Sequence, residues 1–91
     1  MIYKLIFSEE AEHDIQRLKR SEPQAFKKLM KLLLELQEHP VTGTGKPEML
    51  VGNRSGQWSR RISGRHRLIY CIEEEIVTVL VLSAYGHYEE K

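Results

Sequence analysis

The chain has 91 residues, of which 41% are hydrophobic and 30% are charged, a composition typical of a small globular protein and not of a disordered one. No apolar run approaches the roughly 20 residues that span a bilayer, the N-terminus lacks the pattern of a signal peptide, and a single cysteine, Cys71, excludes an internal disulfide. These features favour one cytoplasmic domain over residues 1–91.

Residues 2–7 and the segment after them predict a strand followed by a helix. The run IYKLIF is short, apolar and β-prone, which favours a strand. Ser8 is a predicted N-cap, because Glu9 and Glu10 follow it and interact favourably with the positive end of a helix dipole. Apolar residues at helical spacing continue to Leu18 and predict a buried helix face.

A second helix is predicted directly after the first. Ser21 and Gln24 form a predicted capping box, with Pro23 at an early helical position. His39 precedes a proline and is expected to end this helix, since the residue before proline disfavours helical backbone angles. Because the two helices are nearly contiguous, we expect a hairpin whose apolar stripes face the same layer.

After a loop rich in proline and glycine at residues 40–48, the hydrophobic period changes from helical to two. Strands are predicted at residues 58–62 and 67–72, with a shorter one at 49–51. Residues 76–83, IVTVLVLS, form the most apolar and β-branched run and predict an interior strand. The main order, β-α-α-β-β-β, predicts an α+β fold with a twisted, mostly antiparallel sheet and a two-helix hairpin on one face.

Positive charge is concentrated in one part of the chain, although the net charge is only +1 at pH 7. Between residues 46 and 67, six cations face a single carboxylate, Glu48, which gives this segment a net charge of +5. The cations are Lys46, Arg54, Arg60, Arg61, Arg65 and Arg67. Guanidinium groups donate paired hydrogen bonds to two oxygens and therefore suit phosphates. The alternative is a solvated basic face that pairs with acids of the helices.

The order of side chains along the predicted strands limits how these arginines can be used. Arg60 and Arg61 are neighbours, so they point to opposite faces of a strand and cannot both line one site unless a bulge intervenes. Trp58 and Tyr70 lie near them, and aromatic side chains among arginines are typical of surfaces that stack unpaired bases. For Trp58, a core position under the helices is the simpler interpretation.

The acid–base groups of the chain suit chemistry without a metal or another cofactor. No His or Cys pair has the spacing of metal ligands, and no glycine loop has the spacing of a phosphate-binding loop. Glu48, the arginines and His87 could support cleavage of RNA by its own 2′-hydroxyl, which needs a base, an acid and cations at phosphorus. His66, among the arginines, fits either a site or an ordinary position.

Three stretches carry a resemblance to a known family: GTGKPEML at residues 43–50, SGQWSRRISGRHRLIY at 55–70 and HY at 87–88. Together they resemble the Txe/YoeB family of bacterial toxins in the RelE/ParE superfamily, over nearly the whole chain. The resemblance implies an mRNA endoribonuclease that works at the ribosomal A site and inhibits translation. It also implies neutralisation by a YefM-like antitoxin and a homodimer.

The resemblance assigns roles to individual residues. Glu48 matches the general base of the family, Arg67 the arginine that stabilises the phosphate, and His87 the general acid. The charge cluster and the resemblance together predict a set of RNA-binding and phosphate-binding residues: Lys46, Arg60, Arg61, Arg65 and Tyr88. A non-catalytic binding module of the same fold, such as a gyrase-poisoning ParE-like toxin, is the alternative. The acid–base pair of Glu48 and His87 favours the enzyme.

The chain departs from the family pattern at three places, one of which is the extension Glu89, Glu90 and Lys91 after the His-Tyr that usually closes the chain. Family members often carry a lysine shortly after GKPExL, where this chain has Val51, so one phosphate contact is expected to be absent. Gly86 precedes His87 and is expected to loosen the terminal segment.

Overall fold

The computed structural model describes residues 2–86 of the chain. Its elements are β1 (Lys4–Phe7), α1 (Glu9–Ser21), α2 (Pro23–Glu38), β2 (Glu48–Met49), β3 (Trp58–Arg61), β4 (Arg67–Glu73) and β5 (Thr78–Ser83). These strands form a five-stranded sheet in the order β1-β5-β4-β3-β2. β1 pairs with β5 in parallel, and the other neighbouring pairs are antiparallel. The predicted α+β fold with a mostly antiparallel sheet is confirmed.

The start of α1 agrees with the sequence, whereas the start of α2 does not. Ser8 is the N-cap of α1, and its hydroxyl accepts a hydrogen bond from the Ala11 amide at 2.9 Å. The predicted capping box at Ser21 is wrong, because α1 continues through Ser21, whose hydroxyl donates to the Arg17 carbonyl one turn back. Glu22 lies at the junction, and α2 begins at Pro23, which has no amide hydrogen for a cap to bind.

The helices cover one face of the sheet and form the hydrophobic core with it. Residues without solvent exposure include Leu18 of α1, Leu29, Leu32 and Leu36 of α2, and Leu68, Tyr70, Val79 and Val81 of the sheet. Each fully buried leucine contributes about 2 kcal/mol through removal of apolar surface from water. Trp58 packs against this core and is partly buried, which confirms the simpler interpretation of that residue. Within residues 2–86, neither helix has the length and apolar character that a bilayer crossing needs.

β5 lies between β1 and β4, in the interior of the sheet, as its composition predicts. Its register with β4 shifts between Ile69 and Tyr70, and such a bulge bends the strand and re-aims the residues beside it. After the end of β5 the chain continues to Gly86, whose carbonyl accepts a hydrogen bond from the Arg67 amide at 2.9 Å. The last described residues therefore lie beside the first residue of β4.

The turn between β4 and β5 contains a residue in an unfavourable backbone conformation. Residues Glu74–Ile76 form a 3₁₀ turn, and Val77 follows it with φ 47° and ψ 54°. A β-branched side chain in this left-handed region costs about 1–2 kcal/mol, whereas asparagine tolerates it better.

We therefore expect Val77→Asn to raise the free energy of unfolding by about 1 kcal/mol, measured by urea denaturation. The matched control is Ile76→Asn, since Ile76 is 65% exposed and is not among the positive-φ residues. A stabilisation by the control equal to that of Val77→Asn would show that backbone strain is not the cause.

Candidate functional site

The two adjacent arginines of β3 point to opposite faces of the sheet, as alternation along a strand requires. Arg60 points toward the helices, where it contacts Glu35 of α2, and it has no solvent exposure. Arg61 is exposed and lies directly opposite Arg67 in the antiparallel pair of β3 and β4. Both of these side chains therefore lie on the face that the helices leave open.

Glu48 lies on the same open face. Its partner across the sheet is Ser59, which is two residues from Arg61 on β3, and paired residues project to the same side. Neighbouring strands are about 4.8 Å apart, so residues on β2, β3 and β4 share a patch roughly 10 Å wide. We call Glu48, Arg61 and Arg67 the open-face cluster. Ser59 lies within this patch, is fully buried, and its hydroxyl has no hydrogen-bond partner among the described residues.

The open-face cluster places two like charges directly opposite each other. Such a pair on one face of a sheet is destabilising, and opposite charge nearby offsets the repulsion. Phosphate is an anion that guanidinium groups bind through paired hydrogen bonds. The arrangement is therefore suited to hold an anion beside the Glu48 carboxylate.

The phosphate-binding role predicted for Arg60 is corrected by its position in the interior. Its guanidinium donates to a carboxylate oxygen of Glu35 at 3.0 Å and to the carbonyl oxygens of Thr42 at 2.7 Å and Thr44 at 3.2 Å. It also donates to the His39 carbonyl, and its Nε donates to the Tyr70 hydroxyl at 3.1 Å. A guanidinium with these partners and no exposed surface has a structural role and does not reach RNA.

Arg60 shapes the loop that leads to Glu48. The carbonyls it binds belong to residues 39–44, and the Tyr70 hydroxyl donates to the Pro40 carbonyl at 2.8 Å. The Gly45 carbonyl then accepts from the Arg61 amide at 2.6 Å, which joins the loop to β3. Gly45 has φ 86°, and a Cβ there would lie 2.9 Å from the Arg61 carbonyl oxygen, so glycine is required. The first arginine of the SRR motif thus builds the loop, and the second faces solvent.

Glu35 connects Arg60 to this loop and has a perturbed acidity. Its carboxylate accepts a hydrogen bond from the Thr44 amide at 2.8 Å in addition to the bond from Arg60. Hydrogen bonding to Thr44 and, after it, the charge of Arg60 lower the pKa of Glu35 from its ordinary value of 4.5, against the opposing effect of burial. The charged form of Glu35 is therefore the one that the folded loop favours.

The remaining predicted site residues lie near the cluster along the chain or outside the described part. Lys46 is exposed and has φ 52°, two residues before Glu48. Arg65 is exposed in the turn before β4, two residues from Arg67. His87 and Tyr88 lie outside the described residues. Val51, at the position where family members often carry lysine, is 68% exposed.

His66, which the sequence leaves undecided, is buried and binds the end of the described chain. Its Nε2 lies 2.8 Å from a carboxylate oxygen of Glu22, and its Nδ1 accepts a hydrogen bond from the Gly86 amide at 2.8 Å. Gly86 therefore has both its amide and its carbonyl hydrogen-bonded, whereas the segment that it was expected to loosen lies outside the described residues.

Two residues of α1 hold the same segment, and sequence analysis missed both. The Asp14 carboxylate accepts from the Ala84 amide at 2.9 Å, and the Arg17 guanidinium lies 3.9 Å from the centre of the Tyr85 ring. No motif marks these positions. We call Asp14, Arg17, Glu22 and His66 the terminal clamp.

Concavity does not mark the candidate site. An open groove runs along α1 and is lined by His13, Asp14, Gln16, Arg17 and Arg20. Its lining residues all belong to α1, and two of them, Asp14 and Arg17, are members of the terminal clamp. Within residues 2–86, no group of three His, Cys, Asp or Glu side chains is placed to hold a metal ion. Cys71 of β4 is half-buried, and burial followed by the charge of Glu73 raises the pKa of its thiol.

A protein-family model described as the YoeB-like toxin of bacterial type II toxin-antitoxin system matches residues 7–88. The chain belongs to the YoeB toxin family. Toxin YoeB of Escherichia coli K12 is 38% identical over 85 residues, which are 93% of this chain and 99% of that protein.

Solved structures of the YoeB family share the fold. The YoeB/ParE toxin from Agrobacterium tumefaciens has a TM-score of 0.87 and 30% identity, over 93% of this chain and 99% of that one. The YoeB dimer and the YoeB-YefM complex from Staphylococcus aureus have TM-scores of 0.83 and 0.81, each with 30% identity over 97% of this chain and 100% of theirs. The YoeB resemblance found in the sequence is confirmed, and this chain is a toxin of a type II toxin–antitoxin system.

The opposite placement of the paired arginines in this YoeB toxin predicts opposite effects of replacing them. Arg60→Met should lower the free energy of unfolding by about 3–5 kcal/mol or prevent folding, because it removes the cation that pairs with Glu35 and the donor to several loop carbonyls. Arg61→Met should change stability by less than about 1 kcal/mol, because it removes only an exposed cation. Urea denaturation followed by circular dichroism compares the two, and equal losses would contradict the assignment.

The lowered pKa of Glu35 predicts a contribution to acid stability. A carboxyl group whose pKa is lower in the folded state stabilises the fold above its unfolded pKa, near 4.5, and this stabilisation is lost as pH falls through the folded value. Glu35→Gln should therefore reduce the decline in unfolding free energy between about pH 5 and about pH 3. Glu75→Gln, which replaces an exposed carboxylate, is the control, and an equal reduction by it would contradict the prediction.

Proposed function

We propose that this toxin is a ribosome-dependent mRNA endoribonuclease that works without a metal ion in the cytoplasm and inhibits translation. The observation that supports this most is the open-face cluster, in which Arg61 lies directly opposite Arg67 and shares its face with Glu48. Two guanidinium groups on one face suit a phosphodiester, because each can donate paired hydrogen bonds to phosphate oxygens.

The proposed reaction uses the 2′-hydroxyl of RNA as the nucleophile. Glu48 accepts the proton of this hydroxyl as its oxygen attacks the adjacent phosphorus, and the bond from phosphorus to the 5′-oxygen breaks. His87, which lies outside the described residues, donates a proton to the departing 5′-oxygen. The products are a 2′,3′-cyclic phosphate and a free 5′-hydroxyl, so no cofactor is consumed.

The guanidinium groups have a separate task in this mechanism. Negative charge increases on the phosphoryl oxygens as the 2′-oxygen attacks, and a cation that is already in place stabilises this state without reorganisation. Arg67 takes this role, with Arg61 as a second contact. Lys46, Arg65 and Tyr88 are proposed to bind the flanking nucleotides, by charge and, for the tyrosine, by stacking.

The partners of the toxin are proposed from its relatives. The staphylococcal YoeB is described both as a dimer and in complex with YefM. We infer that this chain likewise binds a YefM-like antitoxin and can form a homodimer, and that the ribosome presents mRNA to the open-face cluster.

Replacement of the cluster residues tests the catalytic proposal. Arg67→Ala should lower the rate of mRNA cleavage in a reconstituted translation reaction by on the order of 10²–10³-fold, because it removes a group that stabilises developing charge. Glu48→Gln should cause a comparable loss, and His87→Gln should abolish cleavage. Primer extension maps the cleavage sites, and circular dichroism checks that each variant folds.

The controls for this test remove exposed charges away from the cluster. Lys27→Ala in α2 and Glu75→Gln in the turn before β5 should cleave at the wild-type rate. A message with a 2′-deoxy residue at the mapped site should resist cleavage, since it lacks the nucleophile. Unchanged toxicity of both the Arg67 and the His87 variants would favour a non-catalytic, gyrase-poisoning toxin instead.

A further inference from the structure

We propose that His66 is a positioning residue that holds Gly86, the last described residue, and through it sets where the following residue is attached to the domain. Its structural part stands on contacts among described residues. Its catalytic consequence rests on the proposed function, because the segment after Gly86 begins with His87, the proposed general acid.

The two hydrogen bonds of His66 define one state of its ring. The Gly86 amide can only donate, so Nδ1 must carry a lone pair to accept its hydrogen bond at 2.8 Å. The proton of a neutral imidazole then resides on Nε2, which donates to the Glu22 carboxylate at 2.8 Å. Glu22 lies at the junction of the two helices, so the ring links the helical layer to Gly86, the last described residue.

His66 is held rigidly enough to act in this way. Its side chain is 1% exposed, and the Tyr85 ring packs against it with centroids 4.3 Å apart. The guanidinium of Arg17 also packs against the Tyr85 ring, 3.9 Å from its centre. Asp14 binds the Ala84 amide one residue earlier. The terminal clamp thus fixes three consecutive residues, 84–86, against the helical layer.

The clamp is connected directly to the open-face cluster. The Gly86 amide donates a hydrogen bond to His66. The Gly86 carbonyl accepts a hydrogen bond from the amide of Arg67, the residue that follows His66. Two consecutive residues, His66 just before β4 and Arg67 at its start, therefore hold both polar groups of Gly86, and Arg67 also carries a guanidinium of the cluster. A shift of about 1 Å in a catalytic group can cost on the order of 100-fold in rate, so this attachment would matter for catalysis.

Two substitutions separate the two hydrogen bonds of the ring. Asparagine at position 66 can place its amide oxygen near the site of Nδ1 and accept from Gly86, but it does not reach Glu22. Glutamine can place a donor near the site of Nε2 and bind Glu22, but it leaves the Gly86 amide without an acceptor. Both variants lose the ring packing with Tyr85, so a purely structural role predicts similar effects for the two.

The primary measurement does not depend on enzymatic activity. Amide hydrogen exchange at Gly86, followed by NMR on the full chain, should remain within about threefold of wild type in His66→Asn and should accelerate at least about tenfold in His66→Gln. Glu22→Gln, which keeps an acceptor for Nε2, should leave exchange at Gly86 within about threefold of wild type. Equal exchange in the asparagine and glutamine variants would overturn the proposal.

A measurement on the wild-type protein tests the proposal even if the variants do not fold. The ¹⁵N chemical shifts of the His66 ring should show an unprotonated Nδ1 and a protonated Nε2 at pH 7.5. A ring with the proton on Nδ1, or a doubly protonated ring, would rule out the hydrogen bond from Gly86 and with it the proposal.

Kinetics of mRNA cleavage then test the catalytic consequence. His66→Gln should lower kcat about tenfold or more with KM changed less than about threefold, while His66→Asn restores most of kcat. Equal kcat values for two folded variants that differ in Gly86 exchange would overturn the positioning role. If the wild-type protein does not cleave mRNA, the proposed function fails, yet the exchange and ¹⁵N measurements still decide whether His66 holds Gly86.

Discussion

The candidate site depends on the hydrogen bonds and the ion pair that the buried guanidinium of Arg60 makes with Glu35 and the neighbouring loop. A charge that has lost its water must be compensated inside the protein. Here the compensation comes from Glu35 and from carbonyl oxygens of the loop between α2 and β2. Those acceptors come together only when the loop is folded. The hydrogen bonds of Arg60 therefore stabilise the conformation of the segment that leads to Glu48.

The side chains of β3 have different roles on the two faces of the sheet. Toward the helices, Trp58 and Arg60 add packing and the buried ion pair, and toward solvent, Arg61 adds charge opposite Arg67. The covered face supplies stability through the burial of apolar surface. The same short strand thus contributes to the core through one face and to the candidate site through the other, because its side chains alternate between the two faces.

The terminal clamp extends this logic to the end of the described chain. Asp14 and Glu22 come from the helical layer, and they bind groups that lie 70 and 44 residues away in sequence. His66 stands between Glu22 and Gly86, immediately before Arg67. The helices therefore do more than cover the core, since they also determine where the chain lies next to the open-face cluster.

The sequence by itself determined the order of the elements, the mostly antiparallel sheet, the capping of α1 by Ser8 and the family, because periodicity, local capping and short motifs are local properties. It also required Arg60 and Arg61 to face opposite ways. Only the tertiary structure decided which of them is buried, because that depends on the face that the helices cover and on the position of Glu35. The Ser21 capping box was wrong because two nearly contiguous helices share one junction. The role of His66 was likewise beyond the sequence, since its partners lie 44 and 20 residues away and meet it only through packing of the helices against the sheet.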